Sequence, residues 1–160
     1  MWCAEHTRKL QSSEELVSQF LTEIPPFITV LDGPSGCGKT RLVKALQCHF
    51  PVRVFSTEAF IDILLSYAKG DVSIPEGRII PADEPYICFE DIDLLAGKSA
   101  TLHFLFCELI RMESNKTVII SGIDIRHRLP GFLEKLEKRF AVNVYLFHEE
   151  SESDDAQGDG

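Results

Sequence analysis

The fold of this chain is decided by one stretch, in which the apolar run Phe27-Ile28-Thr29-Val30-Leu31 is followed by Asp32 and then by Gly33-Pro34-Ser35-Gly36-Cys37-Gly38-Lys39-Thr40. A short continuous apolar run is typical of a buried parallel strand, and the pattern from about Lys39 to His49 predicts a helix. The residues between them match G-x-x-x-x-G-K-[ST], whose glycines let the backbone curl until successive N–H groups point at phosphate oxygens. This order of strand, loop and helix predicts a phosphate-binding loop (P-loop).

The chemistry of a P-loop assigns roles to its residues. Lys39 would reach the β- and γ-phosphates and the Thr40 hydroxyl would ligate Mg²⁺, while the start of the helix adds the positive end of its dipole. A glycine-rich turn without a ligand is the weaker alternative, because the motif stands between a strand and a helix. We therefore expect ATP or ADP with Mg²⁺ as ligands, and nucleotide contacts from Gly33, Pro34, Ser35, Gly36, Cys37, Gly38, Lys39, Thr40 and Arg41.

The rest of the chain alternates helix and strand patterns. Helices are predicted from Ser12 or Ser13 to Glu23, from Ser56 or Thr57 to Ala68, over Ser99–Met112 and over 129–139, and strands at 52–55, 86–89, 117–120 and 142–147. Such alternation predicts a three-layer α/β/α domain around a five-stranded, mostly parallel sheet. Ligands of such sheets bind at the carboxyl ends of the strands. The segment Gly70–Pro85 is rich in glycine, proline and charge, which predicts a loop or irregular insertion.

Two acidic residues, Glu90 and Asp91, end the apolar run Tyr86-Ile87-Cys88-Phe89. Acidic strand ends occur in many proteins, but downstream of a P-loop one carboxylate can hold Mg²⁺ while another orients the attacking water. We therefore expect catalytic roles for Glu90 and Asp91, and a metal site made by Thr40, Glu90 and Asp91.

Two further polar residues each have two interpretations. Ser121 ends the strand at 117–120 and could contact the γ-phosphate or cap a turn. Arg139 ends the last predicted helix, where arginine usually complements the helix dipole or lies on the surface. It could instead be an arginine finger that reaches the ATP of a neighbouring subunit.

Length and composition indicate one domain in an ordinary soluble protein. The chain has 160 residues, of which 44% are hydrophobic and 26% charged, and no apolar run approaches the ~20 residues of a membrane helix. No signal-peptide layout opens the sequence, so a cytoplasmic protein without membrane partners is expected. Of 25 acidic residues, six lie beyond His148. We expect an N-terminal tail at 1–11, one domain at 12–148 and a disordered acidic tail at 149–160.

The five cysteines, at 3, 37, 48, 88 and 107, include no CxxC pair. Neither a disulfide framework nor a zinc site is therefore predicted. Cys88 and Cys107 lie in apolar stretches, so both are expected to be small buried side chains.

Together these stretches resemble the ATPase core of the AAA+ class, and more closely that of DnaA-type replication initiators. The resemblance covers about Pro26 to Phe147. Three segments carry it besides the P-loop: Val52–Phe60 is similar to the family's second strand and following helix, Phe89–Lys98 to its Walker B segment, and Leu136–Phe140 to its arginine-finger box. The resemblance implies Walker B roles for Glu90 and Asp91, a sensor-1 role for Ser121 and a role in trans for Arg139.

Several departures from the family pattern modify these expectations. Glu90-Asp91 stands where two aspartates are usual, which favours slow hydrolysis, and Ile123 stands where the family has its sensor-1 acid. Between the second and third predicted strands only Lys69 and Arg78 are basic, so contact with single-stranded DNA is expected to be weak. The sequence stops where the family's helical lid would begin, which predicts a lower nucleotide affinity.

The leading hypothesis is an ATP-binding AAA+ domain with weak ATPase activity. Its nucleotide state would control assembly with other AAA+ subunits, either copies of itself or a full-length initiator, in DNA replication initiation or its regulation. One alternative is a non-hydrolysing regulatory module that binds a full-length initiator. A helicase-loader or transposition ATPase is a third possibility, and a small-molecule kinase is the least favoured.

Overall fold

The computed structural model describes residues 7–9, 13–34, 36, 38–70, 84–113 and 116–147. These residues form a six-stranded sheet in the order β1-β6-β2-β5-β4-β3, in which every neighbouring pair is parallel. The strands are β1 (Thr7–Lys9), β2 (Ile28–Asp32), β3 (Val52–Ser56), β4 (Tyr86–Glu90), β5 (Thr117–Gly122) and β6 (Val142–Leu146).

The helices connect these parallel strands. They are α1 (Ser13–Thr22), α2 (Lys39–Gln47), α3 (Thr57–Ala68), α4 (Ser99–Met112), α5 (Ile125–Arg128) and α6 (Pro130–Arg139), with a 3-10 turn at Ile92–Leu95. The two apolar cores show how the layers are arranged. One core packs α1 and α2 on a face of the sheet, and the other packs α3, α4 and α6 on the opposite face.

Side chains of the central strands point alternately to the two faces of the sheet and so contribute to both cores. In β4, Ile87 and Phe89 join the core with α3, α4 and α6, whereas Cys88 joins the core with α1 and α2. Successive side chains of a strand point to opposite faces, so a sheet covered on both faces needs continuous apolar runs. The three-layer α/β/α prediction is confirmed.

The five predicted strands are all present, and the structure adds β1 at the edge beside β6. This strand lies inside the segment predicted as an N-terminal tail, so residues 7–9 of that segment belong to the sheet. The acidic segment 149–160 and most of the Gly70–Pro85 loop lie outside the described residues. Within the described residues, no helix has both the length and the apolar character needed to cross a membrane.

The two cysteines predicted to be buried differ. Cys88 is fully buried in β4, and this burial, with the nearby charges of Glu90 and Asp91, raises the pKa of its thiol far above the ordinary value. Cys107 is only partly buried, and its Sγ lies 3.6 Å from Nε2 of His103 one turn earlier in α4. The prediction for Cys107 was wrong because that face of α4 lies at the edge of its core.

Candidate functional site

The loop after β2 has the backbone that its glycines were expected to supply. Gly36 has φ +79° and Gly38 has φ +104°, which are left-handed conformations that glycine adopts without strain. The carbonyl of Gly38 accepts the first hydrogen bond of α2, from the amide of Leu42 at 2.9 Å. Ser35 and Cys37, two of the predicted contact residues, lie outside the described residues.

Lys39 closes this loop with its side chain. Its Nζ donates hydrogen bonds to the carbonyl oxygens of Gly33 at 2.7 Å and Pro34 at 2.8 Å. The ammonium group therefore lies over the loop, at the start of α2, where the helix dipole also favours an anion. This arrangement fits a phosphate group.

A cleft of about 300 Å³ opens beside the loop. The order of the sheet explains its other wall: β5 separates β2 from β4, so the carboxyl ends of these three parallel strands lie side by side. Asp91 follows β4 and Ile123 follows β5. The described residues that line the cleft are Gly36, Gly38, Lys39, Thr40, Arg41, Asp91 and Ile123.

The end of β4 is held by a buried threonine of α3. The Thr57 hydroxyl lies 2.7 Å from the carbonyl oxygen of Glu90 and 2.9 Å from that of Asp91, and donates to this pair. Asp91 itself has φ +60°, a left-handed conformation that costs energy in a residue other than glycine. The hydrogen bonds from Thr57 help to hold this turn, which brings Asp91 to the cleft.

The two predicted acids occupy different positions. Asp91 is exposed on the cleft, whereas Glu90 is half-buried and is not among the described lining residues. Burial raises the pKa of Glu90 above its ordinary value, and the charge of Asp91 raises it further, while Lys44 acts in the opposite direction. A raised pKa makes the Glu90 carboxylate a stronger base than an ordinary glutamate.

Two buried aspartates hold the loop that follows β5. Oδ1 of Asp93 accepts a hydrogen bond from the amide of Ile123 at 2.9 Å. Asp32, the last residue of β2, accepts from the amide of Ile125 at 2.9 Å and from that of Arg126 at 3.4 Å. We name Asp32 and Asp93 together the carboxylate clamp.

The clamp was not predicted from the sequence. A signal was present at Asp32, because a charged residue that ends a buried strand needs partners. Asp93 carried no comparable signal, since it closely follows two other acids, Glu90 and Asp91.

Gly122 shows how tightly the loop after β5 packs. A Cβ atom at this position would lie 2.9 Å from Cγ2 of Ile92 and 3.0 Å from Oδ1 of Asp93. Such distances are shorter than van der Waals contact, so glycine is the residue that lets the loop approach the 3-10 turn.

Ser121 and Asp124 lie on either side of the cleft-lining Ile123. Ser121 is buried within β5, opposite Leu31 of β2, and is not among the described lining residues. Asp124 has φ +54°, and its carboxylate lies 2.7 Å from Nδ1 of His127. This hydrogen bond raises the pKa of His127.

Arg139 lies near the amino ends of the parallel strands, whereas the cleft lies at their carboxyl ends. It ends α6, just before β6 begins, and the ring of the adjacent Phe140 packs 5.2 Å from that of Phe27, which precedes β2. Its guanidinium donates to Glu113 at 3.0 Å. Because the P-loop follows the other end of β2, Arg139 is separated from the cleft of its own chain.

The cleft also fits the oxygen chemistry of Mg²⁺. This ion is typically held by one or two carboxylates together with substrate phosphates, and Thr40 and Asp91 both line the cleft. Within the described ranges, no group of three or more His, Cys, Asp or Glu side chains could hold a metal ion. A magnesium ion beside Thr40 and Asp91 would complete its coordination with water or with phosphate oxygens.

No family model and no curated protein matches this chain in sequence. Solved structures do match its fold. Domain III of the replication initiation protein DnaA from Thermotoga maritima superimposes with a TM-score of 0.66 at 19% identity, over 84% of this chain and 60% of that one. AMPPCP-bound DnaA from Aquifex aeolicus gives a TM-score of 0.57 at 23% identity, over 81% of this chain and 44% of that one.

A third match is the replication initiator DnaA bound to AMPPCP and single-stranded DNA. Its TM-score is 0.63 at 21% identity, over 85% of this chain and 45% of that one. The present chain thus spans less than two thirds of the length of each of these proteins. Its α/β fold is that of domain III of the replication initiator DnaA.

Proposed function

We propose that this chain binds ATP with Mg²⁺ in the cleft, and that the bound nucleotide controls its assembly with other AAA+ subunits in DNA replication initiation or its regulation, in the cytoplasm. One observation carries the proposal. The P-loop, with Lys39 folded over it, faces Asp91 across a single cleft. The fold supports it, since two of the similar structures are DnaA proteins that hold AMPPCP.

Different residues of the cleft would contact the phosphates, the metal ion and the attacking water. Lys39 would exchange the carbonyl oxygens of Gly33 and Pro34 for phosphate oxygens, which are stronger, charged acceptors. The amides of the P-loop and the start of α2 would surround the same phosphates. Thr40 and Asp91 would supply oxygens to Mg²⁺, whose chemistry is to neutralise the phosphate charge. Glu90 would orient water from its half-buried position.

The position of Arg139 supports the proposal that nucleotide controls assembly between subunits. An arginine at the amino ends of the strands can contact a nucleotide only in another subunit. Its hydrogen bond to Glu113 would first have to break. The guanidinium is then a charge supplied in trans, and ATP in one subunit favours contact with the next. A similar DnaA structure contains single-stranded DNA. For this chain we propose weak DNA contact at most, with Lys69 exposed at the end of α3.

Calorimetric titration of ATP and of ADP, each with Mg²⁺, tests nucleotide binding. We expect Lys39→Ala to weaken binding at least about 100-fold, because several charge-assisted hydrogen bonds are lost, each contributing about 1.5–3 kcal/mol. Lys138→Ala is the matched control, since this lysine is exposed on α6 and pairs only at the surface with Glu134 at 3.7 Å. Failure of the unaltered protein to bind either nucleotide would contradict the proposal, as would equal binding by Lys39→Ala.

Light scattering in ATP and in ADP tests assembly, with this chain alone and mixed with a full-length initiator. Arg139→Ala should leave the dissociation constant for ATP unchanged but weaken ATP-dependent association. Lys138→Ala, the adjacent change of the same charge, should do neither. Loss of nucleotide binding and association together in Arg139→Ala would contradict the role in trans.

A second candidate function is a module that binds nucleotide without hydrolysing it and regulates a full-length initiator. Two observations favour it: Ile123 gives the cleft an apolar wall, and Glu90 is not among the described lining residues. Measurement of phosphate release separates the two candidates. Turnover that Glu90→Gln abolishes supports the ATPase, and retained binding to an initiator without turnover supports the module.

A further inference from the structure

The chain leaves the end of β6 beside the P-loop. β2 and β6 are parallel neighbours with Asp32 opposite Leu146, so Phe147 comes level with Gly33, the first residue of the P-loop. The amide of Phe147 donates a hydrogen bond to the carbonyl oxygen of Asp32 at 2.8 Å. The Phe147 side chain packs against the core that holds α1 and α2. The residues after Phe147 therefore start next to the P-loop, on the side of the sheet where α2 lies.

Three cations lie at the start of α2, close to that point. Nζ of Lys39 is 2.7 Å from the carbonyl oxygen of Gly33, so the ammonium group lies beside the end of β2. Arg41 lines the cleft, and Lys44 follows it within α2. Arg41 and Lys44 are exposed, and neither forms an ion pair within the part of the chain that the structure describes. These two positive charges are available to an anion.

The acids near these cations do not balance them. Asp91 lies across the cleft from the P-loop. Glu90 is close enough for the charge of Lys44 to act on its pKa, but burial and the charge of Asp91 raise that pKa above the ordinary value. A carboxyl group with a raised pKa gives up its proton less readily. The start of α2 therefore attracts an anion.

The sequence beyond Phe147 carries the opposite charge. The acidic segment, residues 149–160, contains six carboxylates and no basic residue. It lies outside the described residues. Its first acids, Glu149 and Glu150, are two and three residues beyond Phe147, and an extended residue spans about 3.3–3.6 Å. The first acids can therefore reach the start of α2, and the whole segment is long enough to cross the cleft.

We propose that the acidic segment binds at the P-loop of its own chain, where its carboxylates contact Lys39, Arg41 and Lys44 and compete with the phosphates of a nucleotide. Carboxylate and phosphate oxygens both accept charge-assisted hydrogen bonds from ammonium and guanidinium groups. Because the segment is joined directly to β6, the contact is intramolecular and gains from a high effective concentration. The contact itself needs no nucleotide, and its effect on binding rests on the proposed function.

The strength of this contact should depend on salt. Ion pairs at an exposed site are individually weak, and salt screens them. Several carboxylates that share three cations exchange among many arrangements of similar energy, so no single acid is required. The experiments therefore change the charge of the whole segment, and they keep its length.

The first experiment detects the contact without nucleotide. In the neutralised chain the six acids become amides: Glu149→Gln, Glu150→Gln, Glu152→Gln, Asp154→Asn, Asp155→Asn and Asp159→Asn. At about 0.01 M salt, where the Debye length is about 30 Å, the amide NMR signals of Gly36, Gly38 and Lys39 should differ between the neutralised and the unaltered chain. At about 1 M salt, where this length is about 3 Å, they should coincide. Ser151→Ala/Ser153→Ala keeps the charge of the segment and should give the signals of the unaltered chain. Identical signals in the neutralised and unaltered chains at low salt would overturn the contact.

The second experiment locates the contact. A carbodiimide joins a carboxylate to a lysine ammonium group as an amide, with no spacer, and mass spectrometry identifies the linked peptides. Links from the acidic segment should involve Lys39 or Lys44. Lys138 is the control, because it is exposed on α6 near the amino ends of the strands. Equal yields at Lys44 and Lys138 would overturn the proposed site. In a mixture of ¹⁴N and ¹⁵N chains, links mainly between the two labels would overturn an intramolecular contact.

The third experiment measures competition with ATP and Mg²⁺ at low salt. The neutralised chain should bind about tenfold more tightly than the unaltered chain, which corresponds to about 1.4 kcal/mol. Repulsion from a distance could produce a similar gain, so the same comparison is made in a Lys44→Gln background. Loss of a contacting cation should reduce the gain, whereas Lys138→Gln should not change it. A gain that is the same in Lys44→Gln would overturn the contact with Lys44.

The outcomes separate this inference from the proposed function. Equal ATP affinities of the neutralised and unaltered chains would overturn the competition, while nucleotide binding would stand. Absence of binding of ATP and ADP to both chains would overturn the proposed function. The NMR and cross-linking results would still decide whether the acidic segment contacts the P-loop, because neither measurement uses a nucleotide.

Discussion

The two walls of the cleft are built in different ways. The wall formed by the P-loop is local, because residues 33–41 are contiguous and Lys39 bonds to carbonyls only a few residues earlier. The wall formed after β4 and β5 depends on distant residues. Thr57 holds the turn at Asp91 from α3, and the two aspartates of the carboxylate clamp hold the loop at Ile123.

This difference determines what a mutation can do to each wall. In the proposed function the P-loop contacts the nucleotide, so a change there should alter nucleotide binding more than stability. A change behind the second wall alters buried packing, hydrogen bonding or charge, so it should change the free energy of unfolding. The variants below distinguish a tightly held second wall from an ordinary surface loop.

The largest effect on stability is expected at Gly122. In Gly122→Ala the new Cβ would lie 3.0 Å or less from Ile92, Asp93 and Ile125, and overpacking of this kind lowers the free energy of unfolding by about 1–3 kcal/mol. Gly131→Ala is the control. Its Cβ would meet nothing within 4 Å, and alanine in a helix is about 0.5–1 kcal/mol more favourable than glycine. Urea denaturation of both variants measures the contrast, and equal stabilities would show that the second wall is loosely packed.

A smaller effect is expected at Thr57. Thr57→Val removes the hydroxyl that bonds to the carbonyls of Glu90 and Asp91, which should lower the free energy of unfolding by about 1–2 kcal/mol. Thr29→Val makes the same change in β2, where the Thr29 hydroxyl is buried without a hydrogen-bond partner among the described residues. That variant should match the unaltered protein or exceed it by about 1 kcal/mol. A larger loss in Thr29→Val than in Thr57→Val would contradict the account of the turn at Asp91.

The smallest effect concerns the charge of Glu90. Because the pKa of Glu90 is raised in the folded chain, its ionisation destabilises the fold, so stability present at low pH is lost as the pH rises through the raised value. Glu90→Gln should therefore melt at a higher temperature than the unaltered chain at pH 7. Below the ordinary pKa of glutamate, about 4.3, the two should melt together. A difference of the same size at both pH values would show that the charge is not its cause.

The wall formed by the P-loop could be predicted from the sequence, and the wall formed after β4 and β5 could be predicted in part. The spacing of Gly36, Gly38 and Lys39 is enough to predict the loop conformation and a phosphate-binding role. Glu90 and Asp91 were recognised because an acidic pair follows an apolar run. The sheet and its flanking helices were predicted for the same reason, since long apolar runs and helical periodicity are properties of adjacent residues.

What could not be predicted depends on contacts between distant residues or on very short elements. Asp32 lies 93 residues from the Ile125 amide, from which it accepts a hydrogen bond. Asp93 lies 30 residues from the Ile123 amide, and no local pattern links either pair. β1 and α5 have three and four residues, too few for a periodic signal. The roles predicted for the site residues stay predictions, since they concern a bound nucleotide.

The central claim is that the two walls form one nucleotide site. Titration of the ¹⁵N-labelled chain with Mg²⁺ and AMPPCP, followed through its amide NMR signals, tests it most directly. The account predicts concerted shifts at Gly36, Gly38 and Lys39 on one wall and at Asp91 and Ile123 on the other, with a single dissociation constant. Shifts confined to the P-loop, or shifts centred on residues outside the cleft, would contradict it.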